Sequence, residues 1–258
     1  MEAQATTAPA RRLASPKGPR YVTDVLALVS DQAGEADRTR TVSPDVIDAI
    51  KASDLVVLSA STELGGRAET IGQIAVELEA LAGACASTAW CLWNHLCVFH
   101  LFCGALGPAH HELLAGIVQR HEWVCFPAGA GSRLHAEDRG EHLVLNGSAT
   151  FGSGSRYAEW AGVAFAVPDP ATGQLGHPPD LRFSIVELAR EGVSVEPTWD
   201  GASLRASSTD DVVYRHAAIP ADRWSPWWGA DPQVIIRWLT RKQVGRCATV
   251  DRPILEIR

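Results

Sequence analysis

Asn146-Gly-Ser-Ala-Thr-Phe-Gly-Ser-Gly-Ser-Arg-Tyr-Ala-Glu-Trp160 is the stretch that decides the fold of this chain. It follows a strand-like run, Glu141 to Leu145, and precedes another, Ala161 to Val167. Asn146 and Gly147 both tolerate positive φ, so the pair predicts a tight hairpin turn. The second half, Phe151-Gly-Ser-Gly-Ser155, sets small residues beside one aromatic. Glycines let backbone N–H groups approach a ligand, and serines add hydroxyl donors. The ring of Phe151 could lie against a flat heterocycle. The same residues also read as a glycine-rich hairpin with a core Phe, and spacing alone does not choose between the two.

Upstream of this stretch the pattern is helical. Tyr21 to Asp37 places Val22, Val25, Leu26, Leu28 and Val29 on one stripe. Ser43-Pro44-Asp45 is a helix start: the serine caps, the proline takes the first turn, and the carboxylate favours the positive end. Asp54 to Ser59 is a short apolar run, and Leu64-Gly65-Gly66 breaks the chain. Glu69 to Gly83 predicts a helix with Ile71, Ile74, Ala75, Leu78 and Leu81 inward. Ser87 opens another, through Trp90 and Trp93 to about Cys103, and Gly107-Pro108 starts a fourth that ends near Gln119. Downstream, short strands are expected at 122–126, 133–136, 143–145, 162–167, 182–188, 193–196 and 211–216, punctuated by Gly, Pro, Asp and Asn. After Pro220 the chain becomes Trp-rich (Trp224, Trp227, Trp228) and offers one helix, Pro232 to Val244.

The expected class is α+β. A lead-in over 1–20, expected to be disordered, precedes an all-helical domain over 21–120. A small antiparallel β-barrel or sandwich follows over 121–222, then a tail over 223–258. At 258 residues the chain is long enough for two modest domains. A net charge of −7 and the lack of a basic run argue against nucleic acid. The most apolar segment, 84–106, carries Asn94, His95 and His100, so a buried helix is expected rather than a membrane span. The lead-in lacks the apolar core of a secretory signal, which points to the cytoplasm. Cys85, Cys91, Cys97 and Cys103 recur every six residues and walk around a helix. They are therefore expected to be small buried residues rather than metal ligands.

Several segments in this order resemble the acyl-CoA dehydrogenase superfamily, and most closely its flavin-dependent monooxygenase branch. Asp37 to Val46 looks like that branch's Asp-x-x-Arg and Pro-x-x-Val entry, and Leu64-Gly65-Gly66 like its Tyr-Gly-Gly. Ala86-Ser87-Thr88-Ala89-Trp90 is close to its Gly-Ser-Thr-Ala-Trp helix start. Asn146 to Trp160 resembles the flavin segment of its β-domain. Trp199 to Val212 resembles its Trp-x-x-x-Gly-x-Arg-x-Thr-x-Ser-x-Asp-Val loop and strand, and Ile219-Pro220 sits at its Val-Pro. Together these cover about 180 residues and are far more specific than any one alone.

The resemblance implies a reduced flavin, FAD or FMN, against the β-domain, with Phe151 flanking the ring. Gly152, Ser153 and Gly154 would meet its N5–O4 edge, where N–H and O–H donors stabilise negative charge on reduced flavin. Phe126 and Ala128 lie in a preceding loop that also touches flavin. From the helical side it implies Ser87 and Thr88 at the cofactor and Trp90 and Asn94 at the substrate. Asn94 reads equally well as a water-bonded core residue. His95 and His100 read as satisfied core or surface histidines rather than catalysts.

The implied activity is oxygenation of a small organic or natural-product molecule, with a flavin reductase as a further partner. The match also departs from the family. A C-terminal four-helix domain that supplies the catalytic base is expected to be truncated here, so the catalytic residue is unassigned and the pocket is expected to be completed by another subunit. Two residues before Phe151 stands Ala149, where an aromatic is common. Ala206 and Ser208 replace a glycine pair. The alternatives are a non-catalytic scaffold subunit, or a flavin-free relative reused for binding or cyclisation.

Overall fold

Ser43 accepts a hydrogen bond from the Val46 N–H at 3.3 Å, and Pro44 occupies the first turn, so the helix starts where its residue types place it. The computed structural model describes residues 17–129, 132–169, 171–176 and 180–226. Five α-helices come first: α1 (Thr23–Thr39), α2 (Pro44–Lys51), α3 (Ile71–Ala84), α4 (Ala86–Leu106) and α5 (His111–Gln119). The strands are β1 (Val124–Cys125), β2 (Arg133–Asp138), β3 (His142–Gly152), β4 (Trp160–Val167), β5 (Asp180–Glu187), β6 (Val193–Glu196), β7 (Asp210–Pro220) and β8 (Trp224–Pro226). They form one curled sheet in the order β6-β7-β3-β2-β4-β5-β8, with β1 added beside β4. The fold is α+β, as expected. Every pairing is antiparallel except β1 with β4 and the single bridge from β2 to β4.

α4 is the central beam. It is long and apolar enough to cross a membrane, yet most of it is buried inside the protein. Leu92, Phe99 and Phe102 sit in the helical core, which continues into the sheet through Phe183 and Ile185. A second apolar cluster fills the curl of the sheet around Leu145, Phe165 and Tyr214. Cys85, Cys91 and Cys103 are buried while Cys97 is exposed, so the six-residue step does scatter them around α4.

Three expectations are corrected. Asn146-Gly147 is not a turn. It lies inside β3, where Gly147 (φ +115°) makes a bulge against β7. A Cβ there would stand 1.8 Å from the Arg133 carbonyl oxygen, so the glycine is required by close approach of β2. The hairpin turn falls at Gly140 instead (φ +83°), whose N–H is taken by Asp138.

α3 keeps Ile74, Leu78 and Leu81 toward the core as expected, but its buried face is shifted to take in two polar residues. Gln73, Glu77 and Leu81 are buried, and Ile71 is 66% exposed. The cause is the segment expected to be a disordered lead-in. The Lys17 N–H reaches Gln73, and the Arg20, Tyr21 and Val22 N–H groups all reach the Glu77 carboxylate within 3.1 Å. Glu77 thereby caps the start of α1, where Val22 offers no side-chain cap.

The third correction is at the tail. Trp224–Pro226 forms β8 against β5. The expected helix at 232–244 and the Trp227-Trp228 pair lie outside the described residues.

Candidate active site between α4 and the sheet rim

The cavity at the junction of α4 and the sheet rim has a volume of about 420 Å³, within the range of small-molecule sites. Six of the residues singled out in the sequence line it: Trp90 and Asn94 from α4, Phe126 and Ala128 after β1, and Phe151 and Ser153 at the end of β3. Four more complete it: Gly129, Trp199, Leu204 and Thr209. Gly129 falls in the 126–131 loop that the resemblance placed at the flavin, while Trp199, Leu204 and Thr209 lie in the Trp199–Val212 segment and were given no role of their own.

Ser87, Thr88, Gly152 and Gly154 are not in the wall, contrary to expectation. The Ser87 hydroxyl accepts from the Ala206 N–H at 3.2 Å and holds the 204–208 loop. Thr88 is buried behind it. The Gly154 N–H donates to the Ser207 carbonyl at 2.9 Å, and a Cβ on Gly154 would stand 3.1 Å from the Trp123 indole nitrogen. A Cβ on Gly152 would press on Pro127 and the Asp210 carbonyl at 3.2 Å. The Gly154 N–H and the Gly152 carbonyl, which accepts from the Ser155 N–H at 3.0 Å, are thus engaged within the turn.

Phe151 has φ +64° and is 56% exposed. A non-glycine aromatic in the left-handed region costs free energy and persists only where its neighbours dictate it. Here they do. The Gly129 N–H donates to the Thr150 carbonyl at 2.9 Å, and a Cβ on Gly129 would fall 2.3 Å from the Phe151 ring. The ring stands edge-on to Trp199, with centroids 6.4 Å apart. Trp199 is fixed at both ends: its backbone N–H donates to the buried Asp210 carboxylate at 2.9 Å, and its indole N–H donates to the Leu204 carbonyl at 2.9 Å. Asp210 is held in turn by Arg156 at 2.7 Å.

Long-range ties place this loop. Arg40 at the end of α1 reaches Asp200 at 2.6 Å and the Gly201 carbonyl at 3.2 Å. The Tyr157 hydroxyl accepts from the Val42 N–H at 2.8 Å and donates to the Ala206 carbonyl at 3.0 Å. Burial raises the pKa of this hydroxyl, which keeps it neutral and in its linking role.

The polar atoms of the cavity are few. The Trp90 indole N–H donates to Ser153 Oγ at 2.9 Å, and Ser153 Oγ meets Thr209 Oγ1 at 3.0 Å. Asn94 Oδ1 is buried and has no hydrogen-bond partner among the described residues, so it is an acceptor left for a ligand. None of the ten lining residues is charged. The lining is mostly aromatic and apolar, with hydroxyls from Ser153 and Thr209 and the Asn94 amide.

His95 stays out of the cavity. Its Nδ1 accepts from the Val124 N–H at 3.0 Å, so its Nε2 carries the proton and donates to the Val56 carbonyl at 2.7 Å. Burial holds its pKa down at about 4, against the raising effect of the Val56 carbonyl. It is a satisfied core histidine. Burial likewise pushes the Cys91 thiol up, and that thiol donates to the Ser207 carbonyl.

The helical layer followed by a curled sheet has the acyl-CoA dehydrogenase fold. No family model matches the chain. Among curated relatives, indole-3-acetate monooxygenase of Pseudomonas putida is 28% identical over 229 residues, covering 88% of this chain and 55% of the relative. Acyl-CoA dehydrogenases are also among them. XiaF from Streptomyces sp., solved with FADH2 and glycerol, superposes with a TM-score of 0.71 at 22% identity, covering 82% of this chain and 50% of that one. KijD3, solved with FMN and a dTDP-sugar, gives 0.66 at 26% identity, covering 81% and 53%. The chain thus spans about half the length of the relatives it matches.

Proposed function

We propose that this protein is a flavin-dependent oxidoreductase of the oxygenating kind, using reduced FAD or FMN and O2 on a small organic or natural-product substrate. The observation that carries it is the cavity itself: four aromatic side chains around a hydroxyl and an unpartnered amide oxygen, where α4 meets the sheet rim. The flavin, when bound, supplies the redox chemistry and the activation of O2. Phe126, Phe151 and Trp199 present apolar faces and edges to a flat ring and exclude water from it. Ser153 offers a hydroxyl, and Asn94 an acceptor, to the polar edge of the ligand.

We propose further that another polypeptide, a second copy or a longer relative, closes the open side. Trp90 (38% exposed), Trp93 (41%) and Phe151 leave aromatic surface at the rim. A flavin reductase as electron source and a cytoplasmic location are part of the same proposal.

The test is anaerobic titration of the purified protein with reduced and oxidised FMN and FAD, followed by tryptophan fluorescence. Binding of reduced flavin, weakened about tenfold by Trp199→Ala, is the expected result. No affinity for either flavin, alone or with a full-length relative, would sink the proposal. One observation favours a second reading, a non-catalytic or scaffold subunit: no lining residue titrates near neutral pH, so acid–base catalysis has no local agent. That reading expects no flavin binding.

A further inference from the structure

Three hydroxyls run in line from the cavity wall, Ser153 and Thr209 in the lining and Ser207 behind them. Ser153 Oγ lies 3.0 Å from Thr209 Oγ1, and Thr209 Oγ1 lies 2.7 Å from Ser207 Oγ. All three residues are buried. Each hydroxyl has one proton to give and two lone pairs to receive. The Trp90 indole, which only donates, fixes one bond: Ser153 accepts there at 2.9 Å.

The remaining protons have three arrangements: Thr209 can accept from both serines and turn its own proton to the cavity, which leaves two donors converging on one oxygen, or the protons can run head to tail in either of two directions. If Ser153 donates to Thr209 and Thr209 to Ser207, the last proton sits on Ser207. Among the described residues Ser207 Oγ meets no acceptor other than Thr209, so a buried donor would be stranded. If Ser207 donates to Thr209 and Thr209 to Ser153, no buried donor is stranded. Ser153 then accepts twice, from Trp90 and Thr209, and its own proton is left for the cavity it lines. Each bond in such a chain polarises the next.

We infer that Thr209 and Ser207 are positioning residues that turn the Ser153 hydroxyl into a polarised donor, directed at a ligand edge that gains negative charge. Asn94 Oδ1 is the complementary acceptor in the same cavity, so the ligand presents both an acceptor edge and an N–H or O–H group. The inference rests on the flavin reading for the identity of that ligand. A donor of this kind favours reduced flavin over oxidised, because the reduced ring carries the greater negative charge.

The experiment compares Thr209→Val, Thr209→Ser, Ser153→Ala and the Ser153→Ala/Thr209→Val double variant. Thr209→Val should lower the ratio of reduced to oxidised FMN affinity about tenfold, while Thr209→Ser keeps it within about twofold. The double variant should be no worse than Ser153→Ala, since Thr209 acts through Ser153. An unchanged ratio in Thr209→Val, or additive effects in the double variant, overturns the inference.

A second readout needs no flavin. The 15N–1H resonance of the Trp90 indole, assigned through Trp90→Phe, should move in Thr209→Val and stay in Thr209→Ser. An unmoved resonance in Thr209→Val refutes the chain whether or not flavin binds. A shifted resonance in a protein that takes up no flavin upholds the chain and defeats only the flavin reading.

Discussion

Acidification should act on this protein through His95, at the joint between α4, the 54–57 turn and β1. The imidazole is fully buried and both its nitrogens are committed, one to the Val124 N–H and one to the Val56 carbonyl. A proton on Nδ1 would set two donors against each other and place a charge in apolar surroundings near Lys51. The folded-state pKa is lowered from 6.5 to about 4, chiefly by burial. In that interval the unfolded chain binds more protons than the native one, so stability rises with pH. The His95 contribution is therefore present above about pH 6.5 and lost as pH falls toward 4. Linkage over that shift gives about 3 kcal/mol at the limit, and about 2.5 kcal/mol by pH 4.5. The control is His95→Gln, whose amide can accept from Val124 and donate to Val56 but does not titrate. Urea unfolding of both proteins at pH 7.5 and pH 4.5 removes the common carboxylate effects by difference. The wild type should lose about 2–3 kcal/mol more than His95→Gln between the two pH values. Equal losses would refute the assignment of a neutral, doubly bonded imidazole. Because α4 carries Trp90 and Asn94 and β1 leads to Phe126, ligand binding should weaken over the same pH range.

Glu77→Gln replaces a carboxylate that takes three backbone N–H groups and the Gln73 amide by a group with one acceptor oxygen. It should cost about 2–4 kcal/mol in urea unfolding, while Glu79→Gln on the exposed side of α3 stays within about 0.5 kcal/mol. Gly147→Ala should disrupt the β2–β3 pairing, because the new methyl meets the Arg133 carbonyl at 1.8 Å with φ held at +115°. The check is a fall in melting temperature of at least about 5 °C, against no fall for Gly34→Ala, where the space is open and alanine suits the interior of α1.

What the sequence revealed of this fold was what its local chemistry dictates. Ser43-Pro44 starts a helix because a hydroxyl and a missing N–H suit a first turn wherever it occurs, and α4 was visible as a long, mostly apolar segment. What it hid was set by partners far along the chain. Asn146-Gly147 declares a tolerance for positive φ, but whether that becomes a turn or a bulge depends on how closely Arg133 approaches. α3 buries Gln73 and Glu77 and leaves Ile71 exposed because Glu77 satisfies N–H groups 55–57 residues away, and periodicity cannot register that demand.

The site divides the same way. Phe151, Ser153, Trp90 and Asn94 reach the cavity from elements whose own residues fix their direction. Trp199, Leu204 and Thr209 reach it because Arg40, Asp210 and Tyr157 hold a loop with little regular structure of its own. One of the four aromatic side chains, Trp199, thus sits in a loop tied to the end of α1, a helix that contributes nothing to the lining. The helical layer acts on the cavity in two ways, as its wall through α4 and as the clamp on its opposite rim through Arg40 and Val42. A β-domain alone would keep the Asp210 and Leu204 bonds of Trp199 but lose the Arg40 and Val42 ties that hold its loop against the helical layer. The physical unit of the site is therefore the joint between the two layers.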